Sequence, residues 1–251
     1  TPAPHRGKRN EPAFVALVAK KIAEIKKLAV EDVERITTLN ARRLFGMEAG
    51  LAPSITYRIR NSLYINLTNR CTLACTFCPK RGDWMVKGHY LQLDAEPSAA
   101  ELRAAIAVET ARREFREVVF CGFGESTLRL DLLRELAGER RGRGYRIRLD
   151  TDGLADLVHG RDVAAELAGI VDAVSVSLNA PDAETHARLC PSRFGARAWP
   201  AVVEFLRSAR RHIGDVTATV VGVPGLDVEA CRRMVEDELG VRFRLREHNV
   251  V

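Results

Sequence analysis

The strongest constraint on the fold of this 251-residue chain is the alternation of strand-like and helix-like apolar segments after residue 60. Short β-branched runs alternate with amphipathic stretches of helical period, which favours a parallel sheet covered by helices. The six predicted strands are 63–67, 118–120, 147–150, 173–178, 216–221 and 243–246. The predicted helices are 98–113, which opens with a capping box, 128–137, 163–168, 199–212 and 228–239. The pattern therefore predicts an α/β protein of six β/α units.

Three cysteines, Cys71, Cys75 and Cys78, follow the first predicted strand in the spacing C-x3-C-x2-C. Three thiolates on one short loop can bind three irons of a [4Fe–4S] cluster and leave the fourth iron open to a small molecule. A structural zinc site would need a fourth Cys or His nearby, and the next candidate, His89, stands alone in the sequence. Disulfides are disfavoured because three clustered thiols cannot all pair. The spacing favours a cluster, with zinc and unliganded thiols as the alternatives.

The triplet, with Phe77 before its last cysteine, resembles the signature of the radical S-adenosylmethionine (SAM) enzymes. The resemblance covers roughly residues 60–251 and implies a partial (β/α)6 TIM-like barrel. In that family the open iron binds SAM, and reductive cleavage gives a 5′-deoxyadenosyl radical that abstracts hydrogen from a substrate. The resemblance also implies an external electron donor such as a flavodoxin or ferredoxin. The segments WMVKGH, SLNAPDAETHARLCPSRFG and GVRFRLR most resemble the TatD-associated group of these enzymes, which leaves the substrate open.

The resemblance also implies a SAM site at the C-terminal ends of the strands, where the connecting loops converge. Its residues would be Phe77, Gly122, Gly124, Glu125, Asp150, Ser177, Asn179 and Arg188, beside the three cysteines as cluster ligands. The stretch from Gly122 to Glu125 is similar to the G-G-E motif of the family, although Phe123 separates the glycines. An ordinary glycine turn remains the alternative for this stretch. A solvated helix position remains the alternative for Arg188.

Three further features have two interpretations each. The loop at 79–97 is long and includes Trp84 and His89, so it is either a lid over the substrate or a shield over the cluster. Arg244 and Arg246 alternate with apolar residues on the last strand and either bind an anionic substrate or form a polar edge face. The arginine-rich stretch 140–148 contains a single aromatic residue, Tyr145, and its like charges repel one another, which favours a solvated loop face over a nucleic-acid surface. The remaining cysteines, widely spaced and interpreted as core thiols, are Cys121, Cys190 and Cys231.

Residues 1–47 form a separate helical appendage in this interpretation. Apolar residues recur at helical spacing from Pro12 to Leu28 and again from Glu31 to Gly46, which predicts two helices. The whole excess of positive charge lies in the first 60 residues, which hold 12 Lys and Arg against 6 Asp and Glu, whereas residues 61–251 hold 27 basic and 27 acidic residues. A basic pI therefore does not indicate a nucleic-acid surface on the main domain.

The appendage closely resembles the last part of TatD-type metal-dependent hydrolases, a family associated with DNA hydrolysis. Its resembling segments are PHRGKRNEPAFVALVAKKIAEIKKL and ITTLNARRLFG. No H-x-H metal-binding pair occurs among the six histidines, so hydrolysis by that mechanism is not expected. We expect a fusion remnant: residues 1–47 as hydrolase helices, 48–59 as a linker and 60–251 as the radical SAM domain. The hydrolase, fused or adjacent, is the expected partner.

Two other functions compete with a radical SAM enzyme at this point. One is a non-catalytic module that binds a cluster or SAM as a partner of the hydrolase. The other is a nucleic-acid processing factor, which depends on the hydrolase neighbour for its support. Six cysteines without a secretory signal or an unbroken apolar span favour a reducing, cytoplasmic setting with no membrane.

Overall fold

The computed structural model describes residues 1–47 and 52–248. These divide into two compact units, one built from the described parts of Thr1–Pro53 with Met85–Tyr90, the other from Ser54–Trp84 with the described part of Leu91–Val251. The helices in residues 1–47 and 52–248 all lack the length and the apolar character that a membrane span requires. Of the linker predicted at 48–59, residues 48–51 lie outside the described part of the chain.

The first unit consists of two helices and a small hairpin. A 3-10 turn at Pro12–Phe14 leads into α1 (Val15–Lys26), and α2 (Val30–Leu44) follows after Lys27, whose left-handed backbone ends α1. The hairpin strands are β3 (Met85–Val86) and β4 (His89–Tyr90). Both predicted helices are present at nearly their predicted positions.

The hairpin is fastened to α2 through a buried carboxylate. Asp32 is 1% exposed and forms ion pairs with Arg35 and with Lys87, the latter at 3.2 Å. Arg35 Nε also donates to the Lys87 carbonyl at 3.1 Å. Gly88 is required at the hairpin turn because its φ is +78° and a Cβ there would lie 2.8 Å from the Arg35 Cβ. Part of the long loop at 79–97 thus belongs to the helical unit.

The second unit is built on a seven-stranded sheet within the described residues. β1 (Thr56–Ile59) pairs antiparallel with β2 (Ser62–Ile65), and all other neighbours are parallel. The remaining strands, in spatial order after β2, are β5 (Glu117–Phe120), β6 (Arg146–Thr151), β7 (Ala173–Ser177), β8 (Asp215–Val221) and β9 (Arg242–Arg246). The predicted α/β fold with a partial barrel of parallel strands is confirmed.

β1 is not among the strands predicted from the apolar pattern. It is four residues long and lies in the predicted linker, and only its hairpin with β2 gives it partners. Arg60 takes a left-handed φ of 56° in the turn, and Tyr57 stacks on Tyr64 across the strands at 5.0 Å between ring centroids. This edge strand caps the sheet beside β2.

Helices cover one face of the sheet and follow the strands in sequence. They are α3 (Ala99–Arg112), α4 (Leu130–Arg141), α5 (Ala155–His159), α6 (Val163–Glu166), α7 (Ala183–Leu189), α8 (Ala198–His212) and α9 (Val228–Arg233). The predicted capping box is confirmed: the Ser98 Oγ accepts from the Glu101 N–H, and the Glu101 carboxylate accepts from the Ser98 N–H. The last predicted helix continues as a π-helical turn, Met234–Glu238.

The core lies between this helical layer and one face of the sheet. Alternate strand residues such as Leu63, Val118, Ile147, Val174 and Ala218 are buried there. The strand residues between these point to the opposite face, and they include tyrosines, arginines, serines and threonines. Because the parallel strands all end at one edge, the loops that carry the predicted site residues converge at that edge.

Candidate cofactor site

The cysteine loop is held in place by backbone hydrogen bonds to the last residue of α7 and to the segment that follows it. Ala74 N–H donates to the Pro191 carbonyl at 2.7 Å, and Thr76 N–H donates to the Leu189 carbonyl at 2.9 Å. Leu73 forms an isolated β-bridge with Ser192. The loop between Cys71 and Cys78 is therefore fixed by the fold itself.

The three predicted cluster ligands are free thiols, and each is partly accessible. No three His, Cys, Asp or Glu side chains in residues 1–47 and 52–248 converge as ligands of a single metal ion would. A cubane cluster does not require such convergence, since each thiolate binds a different iron. Three soft sulfur donors on one fixed, accessible loop suit a [4Fe–4S] cluster with one open iron.

The surroundings of these thiols favour their neutral form when no metal is bound. Burial raises the pKa of Cys71, and the nearby carboxylates Asp152 and Glu125 raise it further. A hydrogen bond with the Cys190 thiol raises the pKa of Cys75, followed by burial. Burial also raises the pKa of Cys78. Iron binding must therefore displace protons from all three, as is usual for thiolate ligands.

Phe77 belongs to a small apolar cluster on the other side of the cysteine loop. It packs with Cys75 and Leu73 against the buried residues Leu189, Cys190, Val221 and Val223. This contact places Phe77 between the cysteines and the C-terminal end of β8. Phe77 therefore supports the cysteine loop by apolar packing, close to the strand ends where SAM is expected.

The glycine loop after β5 lies directly against the start of the cysteine loop. A Cβ on Gly124 would be 2.0 Å from the Thr68 carbonyl oxygen and 2.7 Å from the Arg70 carbonyl oxygen. A Cβ on Gly122 would be 2.2 Å from Asn66 Oδ1, a buried atom without a hydrogen-bond partner among the described residues. Both positions need glycine because the space that a Cβ would fill is already occupied. The structure thus brings the two predicted motifs into contact.

Glu125 anchors this glycine loop to the end of β6. Its Oε1 accepts from Thr127 N at 2.9 Å, from Thr127 Oγ1 at 2.7 Å and from Thr151 Oγ1 at 2.9 Å. Its Oε2 accepts from Asp152 N at 2.6 Å, and the main chain of Glu125 donates to the Arg70 carbonyl at 2.7 Å. Glu125 therefore ties three loops together.

The same region holds a second buried carboxyl that the sequence analysis does not single out. Asp152 accepts from Thr72 Oγ1 and from Leu154 N, and its Oδ2 lies 3.9 Å from the Cys71 sulfur. Burial raises the pKa of Glu125 to about 8, with the charge of Asp152 as the next cause. Burial raises the pKa of Asp152 as well. A signal for Asp152 exists in the D-T-D-G sequence that ends the third predicted strand.

We expect Glu125→Gln to destabilise the protein by about 1–3 kcal/mol. Both oxygens of Glu125 accept hydrogen bonds, and the NH2 group that replaces one of them in glutamine cannot accept. Urea unfolding of the purified chain measures this change. Glu204→Gln is the matched control, since Glu204 is exposed on α8 and makes only surface ion pairs within the described residues. Equal stability of the two variants would contradict the anchoring role of Glu125.

The other predicted site residues are placed differently from one another. Ser177 ends β7 in register with Thr219, on the face that carries the polar side chains. Asn179 is buried with a left-handed φ of 59°, and its Oδ1 accepts from Val221 N at 3.1 Å. Asp150 accepts from Arg148 at 2.7 Å. Arg188 is exposed on α7. Asp150 and Ser177 thus lie on the face of the sheet opposite the helical layer. Asn179, by contrast, follows β7 and links it to β8 through its hydrogen bond with Val221.

Comparisons with known proteins assign two parts of the chain to two families. The family described as "Radical SAM superfamily" matches residues 65–237, and the family described as "TatD related DNase" matches residues 1–46. A metal-dependent hydrolase of Bacillus subtilis, YabD, is 58% identical over 45 residues, which is 18% of either chain. The GTP 3′,8-cyclase of Rhodococcus opacus is 31% identical over 156 residues, which cover 61% of this chain and 41% of the cyclase.

The solved structure of native anSMEcpe with bound AdoMet has a similar fold. Its TM-score is 0.55 at 14% identity, covering 74% of this chain and 51% of that one. The chain therefore spans only about a fifth to a half of the length of these relatives. The match over residues 65–237, together with the cysteine and glycine loops that it includes, shows that the chain belongs to the radical SAM superfamily.

Proposed function

We propose that the chain is an enzyme that holds a [4Fe–4S] cluster on Cys71, Cys75 and Cys78 and uses it to cleave SAM reductively. The observation that carries this proposal is the contact between the cysteine loop and the glycine loop, where Gly124 lies against the Thr68 and Arg70 carbonyls. When bound, the reduced cluster supplies the electron that cleaves SAM to methionine and a 5′-deoxyadenosyl radical, which abstracts hydrogen from the substrate.

The residues of the chain bind and orient SAM in this proposal. Gly122 and Gly124 let the glycine loop lie against the cysteine loop, where its backbone groups would bind the methionyl end, and Phe77 supports the cysteine loop by packing. Polar groups at Asp150, Ser177 and Asn179 offer partners for the ribose and the carboxylate. Arg188 would serve the same carboxylate from α7. Glu125 contributes by holding the glycine loop rather than by touching SAM, since its oxygens already accept four hydrogen bonds.

The reaction requires an electron from outside the chain. We propose a flavodoxin or a ferredoxin as the donor and a reducing cytoplasm as the setting, because thiolate ligands and low-potential clusters are kept intact there. The cysteine loop is accessible enough for such a partner, since Cys71, Cys75 and Cys78 are each only partly buried.

The test is anaerobic formation of 5′-deoxyadenosine. The full chain is reconstituted with iron and sulfide, reduced, mixed with SAM, and the product is quantified by mass spectrometry. We expect product above the level of an unreconstituted sample. A fully loaded cluster without any product, even in the presence of cell extract as a source of substrate, would support the non-catalytic module instead.

We also propose that a TatD-type hydrolase barrel, fused or adjacent, covers the first helix. α1 exposes an apolar stripe at helical spacing, formed by Val15, Val18, Ile22 and Ile25. The relative YabD matches this chain over only 18% of its own length, so most of that hydrolase lies in the unmatched part. Cross-linking of this chain with the hydrolase should join lysines of α1 to the barrel. Cross-links confined to residues 54–84 and 91–248 would contradict this placement.

A further inference from the structure

The face of the sheet opposite the helical layer is lined with arginines and carboxylates. Strand register places Arg146, Arg148 and Asp150 of β6 on this face, with Glu117 of β5 beside them. The same register logic adds Asp215 of β8 and, on β9, Arg242, Arg244 and Arg246. The strands therefore bring five arginines and three carboxylates to this face.

Three of these arginines are neutralised by the carboxylates. Arg148 donates to Asp150 at 2.7 Å and to the Tyr64 hydroxyl at 3.1 Å, and its Nε lies 3.4 Å from Glu117. Arg146 pairs with Glu117 at 3.6 Å and also with Asp215. Arg242 pairs with Asp215 as well. These ion pairs use all three carboxylates of the face.

The two remaining arginines form no ion pair with the described residues. Arg244 Nη2 contacts only the Ser175 hydroxyl, at 3.3 Å. Arg246 forms no ion pair or side-chain hydrogen bond with any residue of 1–47 or 52–248. Burial lowers the pKa of Arg244, the charge of Asp150 raises it, and the charges of Arg148 and Arg246 lower it again. Two positive charges are therefore left in excess on one strand.

Arg244 and Arg246 lie near the edge of the sheet at which the loops of the candidate site also begin. β9 runs parallel to β8, so Arg246 is at the C-terminal edge of the sheet. Arg244 is two residues earlier on the same strand and on the same face. The cysteine and glycine loops follow β2 and β5 at the same edge. Both side chains are exposed, so a ligand can reach them, and two like charges side by side attract an anion. Arg242, by contrast, already has a carboxylate partner in Asp215.

We propose that Arg244 and Arg246, with the Ser175 hydroxyl, bind a dianionic phosphate group of the substrate. The proposal rests on the proposed function and names the substrate class of that site. Two guanidinium groups match the charge of a phosphate monoester, which is close to −2 at neutral pH, whereas a single carboxylate would leave one charge unmatched. The hydroxyl supplies a neutral donor to the same group.

The first experiment measures phosphate itself, so it does not depend on the cluster. Equilibrium dialysis of radiolabelled inorganic phosphate against the full chain, at constant ionic strength, gives the affinity. We expect Arg244→Gln and Arg246→Gln each to weaken binding about tenfold, which is about 1.4 kcal/mol. Arg242→Gln is the matched control on the same strand and face and should bind phosphate as the wild type does. Circular dichroism establishes that all three variants are folded.

Equal weakening by all three substitutions would show only a general effect of charge and would overturn the proposal, as would the absence of saturable binding. A second arm uses reconstituted protein with SAM present. Phosphate that stays bound supports a substrate site, whereas displacement by SAM assigns the two arginines to the cofactor carboxylate and overturns it. If the phosphate proposal fails in any of these ways, formation of 5′-deoxyadenosine by the wild type would still support the proposed radical SAM function.

Discussion

Replacing Cys75 with alanine should remove iron from the reconstituted protein and abolish 5′-deoxyadenosine formation. With two thiolates left, the cluster loses one of its three protein bonds on a loop that the fold already fixes through Leu189 and Pro191. We expect iron to fall from about four atoms per chain to background. Cys71→Ala and Cys78→Ala should have the same effect. Iron and sulfide analysis of the purified variants, with mass spectrometry of the product, measures it.

Cys190→Ala distinguishes a cluster bound by three cysteines, with one iron open, from a metal site bound by four cysteines. Cys190 is buried and hydrogen-bonds with Cys75, so four thiols are present in this region. A four-thiolate zinc site or a cluster without an open iron would lose metal on this substitution. Our account predicts that Cys190→Ala retains the cluster, as should Cys231→Ala in α9. Metal loss in Cys190→Ala that equals the loss in Cys75→Ala would contradict the three-cysteine site.

Replacing Gly124 with alanine should have the second large effect. The new Cβ would be 2.0 Å from the Thr68 carbonyl oxygen. Neither atom can rotate away as the end of a flexible side chain could, because the oxygen belongs to the backbone and the Cβ is bonded to it. The glycine loop must then move away from the cysteine loop, which also strains the hydrogen bond from Glu125 N to the Arg70 carbonyl. We expect a loss of about 3 kcal/mol or more in the free energy of unfolding. That corresponds to a fall of roughly 6–12 °C in Tm.

Gly138→Ala is the matched control for this prediction. Gly138 lies inside α4, and an alanine Cβ there would meet no atom within 4 Å outside its own helical turn, so alanine mainly restricts the unfolded chain. We expect it to stabilise the protein by about 0.5–1 kcal/mol. Thermal unfolding followed by circular dichroism compares the two. A Gly124→Ala variant that melts with the wild type would show that the two loops are not in the close contact described.

The parallel sheet and the motif loops follow from the sequence because each depends on short-range pattern. The six predicted strands and the helix capped by Ser98 are identifiable from apolar period and capping residues, and all are present in the structure. The contact between the cysteine and glycine loops follows once both are placed at the same edge of the sheet. Such local signals need no knowledge of distant partners.

Features that depend on distant partners could not be predicted in the same way. β1 is too short and polar to stand out, and its pairing with β2 decides its structure. Arg148 belongs both to the predicted strand 147–150 and to the arginine-rich stretch interpreted as a solvated loop face, and its packing against Tyr64, Glu117 and Asp150 is not predicted. The period-two alternation of arginines and Asp150 with apolar residues along 146–150 is the signal that could have revealed it.

The most direct test of the central claim is electron paramagnetic resonance of the reduced protein before and after SAM is added. The claim is that three cysteines hold a cluster whose fourth iron is open to SAM. The g-values of a reduced cluster depend on the ligands of its irons. Our account predicts a [4Fe–4S] signal whose g-values change when SAM is added. A signal that SAM leaves unchanged, or a reconstituted protein that gives none, would contradict it.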